Sequence, residues 1–175
     1  MPAVEIRALG ASQKICEMLS EILIETVAHG ASVTFMHPLD PAVARAFWER
    51  AVAAADRGER IVLGAWDDEI LVGTVTLLLD LPPNQPHRAE IAKLMTHPTH
   101  RGRGVAAALM RRAQDEAIAK ARTLLTLDTA AEDGASGFYE KLGFTLAGTI
   151  PDYALKPHGG LTGAMFYWKR IGAKA

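Results

Sequence analysis

Thr96-His97-Pro98-Thr99-His100-Arg101-Gly102-Arg103-Gly104-Val105-Ala106 decides how the rest of the chain is read. Ala89 to Thr96, ahead of it, has strand character; behind it, Val105, Leu109, Met110, Ala113 and Ala117 recur at helical spacing from Gly104 to about Ala121. The quoted run is therefore a strand-to-helix junction. Amides at a helix start lack intrahelical partners and carry partial positive charge, which favours a phosphate in front of them. Gly102, Gly104 and Ala106 let a ligand approach the backbone closely, and Arg101 and Arg103 can add charge-assisted contacts. A solvated basic turn that binds nothing has the same composition. A dinucleotide fingerprint needs a third glycine and a P-loop needs Gly-Lys-Ser/Thr; neither is present, so both readings are set aside.

Working outward, Ile15, Leu19, Ile22, Leu23 and Val27 predict a helix over 12–28, with Ser12 as cap and Gly30 as stop. Asp40-Pro41 starts a second helix running to about Gly58, because Asp caps free amides and Pro suits the first helical position. Residues 31–37 form an apolar linker between them. Ile61 to Trp66 and Ile70 to Leu79 read as a hairpin turned at Asp67-Asp68, with Gly73 marking a possible bulge. Pro82 to Pro86 is a breaker cluster. Leu124 to Thr129 reads as a buried-type strand, Ser136 to Leu142 as a short helix stopped by Gly143, and Phe144 to Ile150 and Ala164 to Lys169 as the last strands. Six or seven strands with helices before and between them make an α+β, or mixed α/β, fold, expected as one domain over 1–175.

Composition agrees. At 175 residues, folding hides roughly 70% of the unfolded surface, enough for a core without staples. A single cysteine, Cys16, rules out an intramolecular disulfide, and no Cys/His zinc spacing occurs; no metal is expected. Nineteen Lys+Arg against twenty Asp+Glu argue against nucleic-acid binding by phosphate neutralisation. No apolar run reaches the length of a membrane span, so a cytoplasmic protein without membrane partner is expected.

The run Arg101-Gly102-Arg103-Gly104-Val105-Ala106 resembles the acyl-CoA pyrophosphate motif R-x-x-G-x-G/A of GNAT acetyltransferases. Phe138-Tyr139-Glu140-Lys141-Leu142-Gly143-Phe144 is similar to that family's second signature. Their succession resembles the family core over about 60–170. Glu25-Thr26-Val27, Gly30 to Val33, Phe35-Met36, Arg88-Ala89-Glu90, Lys93-Leu94-Met95 and Leu127-Asp128-Thr129 further resemble acetyltransferases of the tabtoxin-resistance type, which act on a free amine of the toxin. The resemblance implies a GNAT-like fold: a central, mostly antiparallel twisted sheet of six to seven strands, splayed at the acetyl-CoA site and flanked by helices.

It also implies roles. The backbone of Leu94, Met95 and Thr96 would bind the pantetheine arm like an added strand, and Arg101, Gly102, Arg103, Gly104, Val105 and Ala106 the pyrophosphate. A free amide near Leu94 or Met95 would stabilise the oxyanion. Glu90 corresponds to a carboxylate used as general base, Asp128 to a second carboxylate, and Tyr139 to the residue that protonates the thiolate. Glu90 and Asp128 on neighbouring strand ends would raise one another's pKa and attract a cationic amine. Each has a structural alternative. Leu94 and Met95 suit core packing, Glu90 can pair with Arg88, Asp128 can cap a turn, and Tyr139 can be a core aromatic. Where the family often has Asn six residues before the Phe-Tyr pair, this chain has Glu132.

Acceptor contacts are assigned to the variable edges, Phe35 with Val33 and Met36, and Tyr153 with the loop Pro157 to Gly160, although Phe35 and Met36 also suit a core. The expected activity is acetyl transfer from acetyl-CoA to the primary amine of a small molecule, including an amino-acid-like toxin or antibiotic. A protein or peptide acceptor and a non-catalytic acyl-CoA-sensing module are the alternatives. The protein is expected as monomer or homodimer, with no exposed apolar stripe demanding the latter.

Overall fold

Both N-terminal helices start where their capping residues stand. In the computed structural model, which describes residues 4–133 and 136–172, α1 (Gln13–Ala28) begins with the Ser12 hydroxyl accepting from the Ile15 amide at 3.1 Å. α2 (Pro41–Asp56) begins with Asp40 accepting from the Ala42 amide at 2.7 Å. Leu19, Ile22 and Leu23 of α1 and Trp48 and Val52 of α2 form one core with Val62, Leu71 and Met95.

That core lies on one face of a single sheet of seven strands: β1 (Glu5–Ala8), β2 (Arg60–Asp67), β3 (Ile70–Leu78), β4 (Arg88–Thr96), β5 (Leu124–Ala130), β6 (Thr145–Leu155) and β7 (Leu161–Arg170). Their order is β1-β2-β3-β4-β5-β7-β6. Every neighbouring pair is antiparallel except β4 with β5, whose parallel pairing needs the crossover that α3 (Val105–Ala119) supplies. α3 and α4 (Ser136–Lys141) belong to a second core, in which Val105, Leu109 and Tyr139 pack with Val75, Leu77 and Leu125. The expected mixed fold and its sheet are thus borne out.

Three features differ from the sequence reading. β1 was not anticipated: it is four residues long and half charged, too short for an alternation signal, and it exists by pairing Glu5 to Ala8 against Trp66 to Leu63. β6 and β7 extend beyond Ile150 and before Ala164. The expected strand ended at Ile150, yet a bulge absorbs Pro151 and Asp152, since β6 advances from Ile150 to Ala154 while its partner moves only from Ala164 to Thr162. Tyr153 is therefore a strand residue, not a loop residue. Finally, β6 is an edge strand exposed along its whole length, with Leu146, Ile150, Tyr153 and Leu155 open to solvent, an apolar stripe that one-sided pairing creates and local sequence does not announce.

Candidate functional site

β4 and β5 pair over three residues, from Arg88↔Leu124 to Glu90↔Thr126, and then separate. Beyond Glu90, the edge of β4 that faces β5 has no ladder partner, so its backbone polar groups are open to a ligand. A cleft of about 370 Å³ fills the gap, walled by 91–96 of β4 and 127–129 of β5 and completed by 31–34, Arg101 and Tyr139. This is the splay the sequence resemblance implies.

β4 also loses its alternation here. Thr74 of β3 faces Met95 and Thr76 faces Ala92, so β4 carries one extra residue, and Lys93 takes a φ of +53°. Ile91 and Leu94 pack toward the α3 core, whereas Met95 packs under α1 and α2.

At the far end of β4, Gly73 pairs with Thr96 beneath the first turn of α3; a Cβ there would lie 2.9 Å from Val105 Cγ1 and 3.0 Å from the Met95 carbonyl oxygen. The missing side chain lets α3 sit directly on β3. Gly102 and Gly104 have φ of +75° and +79°, with open space where a Cβ would stand, and α3 has no side-chain cap. Its first amides are thus left for another partner. Thr96 Oγ1, beside the cleft, is buried without a hydrogen-bond partner among the described residues. Open strand edge, uncapped helix start and orphaned hydroxyl together fit an extended polar ligand ending in phosphate. Of the residues assigned to such a ligand, 94–96, Arg101 and Ala106 line the cleft; the Val105 side chain is buried under α3, leaving its backbone for contact.

The titratable residues converge partly. Glu90 stands where β4 and β5 diverge; its Oε2 accepts from Arg88 Nη1 at 3.1 Å, the alternative its sequence position allowed. Arg88 also donates to Thr126 Oγ1 at 2.6 Å and to Gln85. Asp128 lines the cleft from β5, and its carboxyl is pushed above the ordinary value, first by burial away from water and then by the negative charge of Glu90, with Lys93 opposing. Lys93 is pushed down by burial, with Asp128 opposing. Burial pushes the Tyr139 phenol up to about 12, the Thr129 side chain partly offsetting it. Tyr139 is also a core aromatic, 5.6 Å from the Tyr167 ring.

Of the acceptor residues read from the variable edges, Val33 lines the cleft, whereas Phe35, Met36, Tyr153 and the loop Pro157 to Gly160 lie outside its lining. Phe35 packs edge-on against Phe47 at 5.3 Å and joins the α1/α2 core. Tyr153 packs edge-on against Phe166 at 5.6 Å, and Phe166 is the β7 partner of Asp128. The two edges do meet: the His37 and His158 rings are 4.4 Å apart, and the His37 amide donates to the Pro157 carbonyl at 2.9 Å. Glu132 pairs with Lys156 at 2.9 Å, and Asp133, a cleft residue, accepts from the Ser32 amide at 3.1 Å. Sequence reasoning missed Lys93 and Asp133 as cleft residues. The first had no signal, because the bulge that turns it is not encoded by a glycine; the second reaches the cleft only through the tertiary contact of its carboxylate with the Ser32 amide.

The model of the acetyltransferase (GNAT) family matches residues 22–144. Among solved structures, the chain is similar to the yncA protein of Salmonella typhimurium, determined with its cofactor acetyl-CoA, at 23% identity and a TM-score of 0.80, over 99% of this chain and 97% of that one. It is similar to a phosphinothricin acetyltransferase of Sinorhizobium meliloti in complex with acetyl-CoA, at 19% identity and 0.81, over 98% and 90%. It is also similar to a ribosomal-protein-alanine N-acetyltransferase of Brucella melitensis, at 20% identity and 0.78, over 95% and 99%. At these identities the likenesses describe the fold.

Proposed function

The chain belongs to the acetyltransferase (GNAT) family, and from that premise we propose that it transfers an acetyl group from acetyl-CoA to the primary amine of a small molecule. The observation that carries this reading is the splay of β4 from β5, which opens a strand edge, the Asp128 carboxylate and the Tyr139 phenol onto one cleft, with Glu90 at the point of divergence and its charge acting on Asp128.

The cosubstrate supplies an acetyl group activated as a thioester. The backbone of Leu94, Met95 and Thr96 binds its arm in the manner of an added strand, while Arg101, Gly102, Arg103, Gly104, Val105 and Ala106 hold the pyrophosphate before α3. An amide of β4 beside the bulge offsets the negative charge that develops on the carbonyl oxygen. The acceptor ammonium loses its proton to the pair Glu90 and Asp128. A carboxyl pushed upward, as Asp128 is, matches the pH at which it must work better than an ordinary one. Tyr139, protonated at every physiological pH, donates to the departing thiolate.

A small acceptor is favoured because residue 37 and the loop at 156–160 are joined, which ties the segment that follows the cleft residues 31–34 to the β6–β7 loop, where a protein substrate would need an open groove. Similarity to a phosphinothricin acetyltransferase supports an amino-acid-like amine, the class that includes the tabtoxin-type toxins. Retention of Glu90, Asp128 and Tyr139 argues against a sensing module without catalysis. All seven strands in one sheet support a single acetyltransferase domain. Among the described residues no helix is long and apolar enough to cross a membrane.

The test is thiol release from acetyl-CoA with a panel of amino acids, tabtoxinine-lactam, polyamines, aminoglycosides and peptides. Release with an amino-acid-like amine is expected. Release with peptides alone overturns the small-molecule acceptor, and no release with any amine overturns the reading as a whole.

A further inference from the structure

Lys93 sits where a lysine is costly. A non-glycine residue in the left-handed region is uncommon and is maintained against local strain, so an observed outlier of this kind asks for a function. In a regular β4, Lys93 would share a face with Ile91 and point into the α3 core. The extra residue turns it to the other side. Its ammonium lies 5.6 Å from the Phe47 ring centroid of α2, the residue belongs to the wall of the cleft between β4 and β5, and its charge and that of Asp128 act on one another. Among the described residues no carboxylate comes within 4.0 Å of that ammonium. The cleft therefore presents a cation from the β4 wall and a carboxylate, Asp128, from the β5 wall.

We propose that Lys93 binds an anionic group of the acceptor, so that the enzyme selects zwitterionic amines whose ammonium meets Asp128 and Glu90 and whose carboxylate, or equivalent anion, meets Lys93. This rests on the acetyltransferase reading above and names the substrate class of that cleft. The chemistry is complementary at both ends. A half-buried ammonium without a partner gains a charge-assisted hydrogen bond when the anion arrives, and an uncharged amide in the anion's place forgoes it. The Phe47 face holds the ammonium in position meanwhile.

The experiment compares glycine, alanine, methionine, glutamine and lysine, each against its own carboxamide, as acceptors for wild type, Lys93→Met and Lys93→Arg. The carboxamides carry the less basic amine, so proton removal alone favours them. Wild type is expected to prefer the acids about 10- to 100-fold in kcat/KM, chiefly through KM, the value of one charged hydrogen bond. Lys93→Met is expected to lose that preference while its acetyl-CoA KM changes little, and Lys93→Arg to keep part of it. Wild-type enzyme that acetylates carboxamides or anion-free amines as well as acids overturns the proposal whatever the variants do. So does a Lys93→Met enzyme that keeps the preference, or one whose defect lies in acetyl-CoA KM. Each of those results leaves the acetyltransferase reading standing. Absence of thiol release with every amine, joined to no rise in Tm with acetyl-CoA, removes that reading and this inference together.

Discussion

Asp128 and Glu90 illustrate how one residue's chemistry depends on another's charge. Part of the upward push on the Asp128 carboxyl comes from Glu90, so Glu90→Gln removes that part and lowers the Asp128 pKa. The acid limb of kcat/KM is expected to move to lower pH. If the pair is the base, kcat also falls about 10²-fold with acetyl-CoA KM little changed. A pH profile of the variant that overlays the wild-type profile refutes the coupling. Tyr139 gives a prediction with the opposite reach. Its folded pKa of about 12 exceeds the unfolded value of about 10, so the folded chain holds the phenolic proton while the unfolded chain releases it. Stability is fully present below pH 10 and falls as pH rises from there toward 12, by about 3 kcal/mol in all. Tyr139→Phe has no proton to lose, so its urea stability relative to wild type is expected to improve between pH 9 and pH 11. Neither carboxylate's position relative to the other was legible from sequence beyond the resemblance: residues 90 and 128 come within electrostatic reach only because β4 and β5 pair in parallel and part just past Glu90.

Elements were legible where local signals agree. Ser12 and Asp40 cap the helices they precede, and the glycine-rich run before Val105 starts α3. The bulges were not, with one exception. Gly73 was read as a possible bulge, and the register of β2 against β3 does shift beside it, between Ala65 and Trp66. Its larger task is a close approach. A Cβ at 73 meets Val105 at 2.9 Å and the Met95 carbonyl at 3.0 Å, and the carbonyl is backbone with little room to give. Gly73→Ala is expected to cost about 1–3 kcal/mol by overpacking. Because the displaced element is the first turn of α3, it should also raise the acetyl-CoA KM, whereas a purely structural loss lowers Tm and leaves that KM alone.

For the whole molecule, the sheet holds two cores on its two faces and a ligand cleft where its halves part. Acetyl-CoA that bridges the parted strands and the start of α3 stabilises the folded chain by linkage, about 2.7 kcal/mol at 100 times its Kd, or on the order of 5–10 °C in Tm for a chain this size. NADH or ATP at the same concentration should shift Tm far less; an equal shift refutes a site selective for acetyl-CoA. The amino-acid sequence by itself determined the helices with their caps, most strands, the mixed fold class and the basic glycine turn, because each is written in neighbouring residues through periodicity, capping and backbone permissiveness. Only the tertiary structure decided that β4 turns Lys93 into the cleft, that Phe35 is spent on the α1/α2 core, that Tyr153 belongs to an exposed edge strand, and that Glu90 and Asp128 share a field. Register, bulges and the point where strands part are set by contacts between distant segments, and those contacts exist only once the sheet has formed.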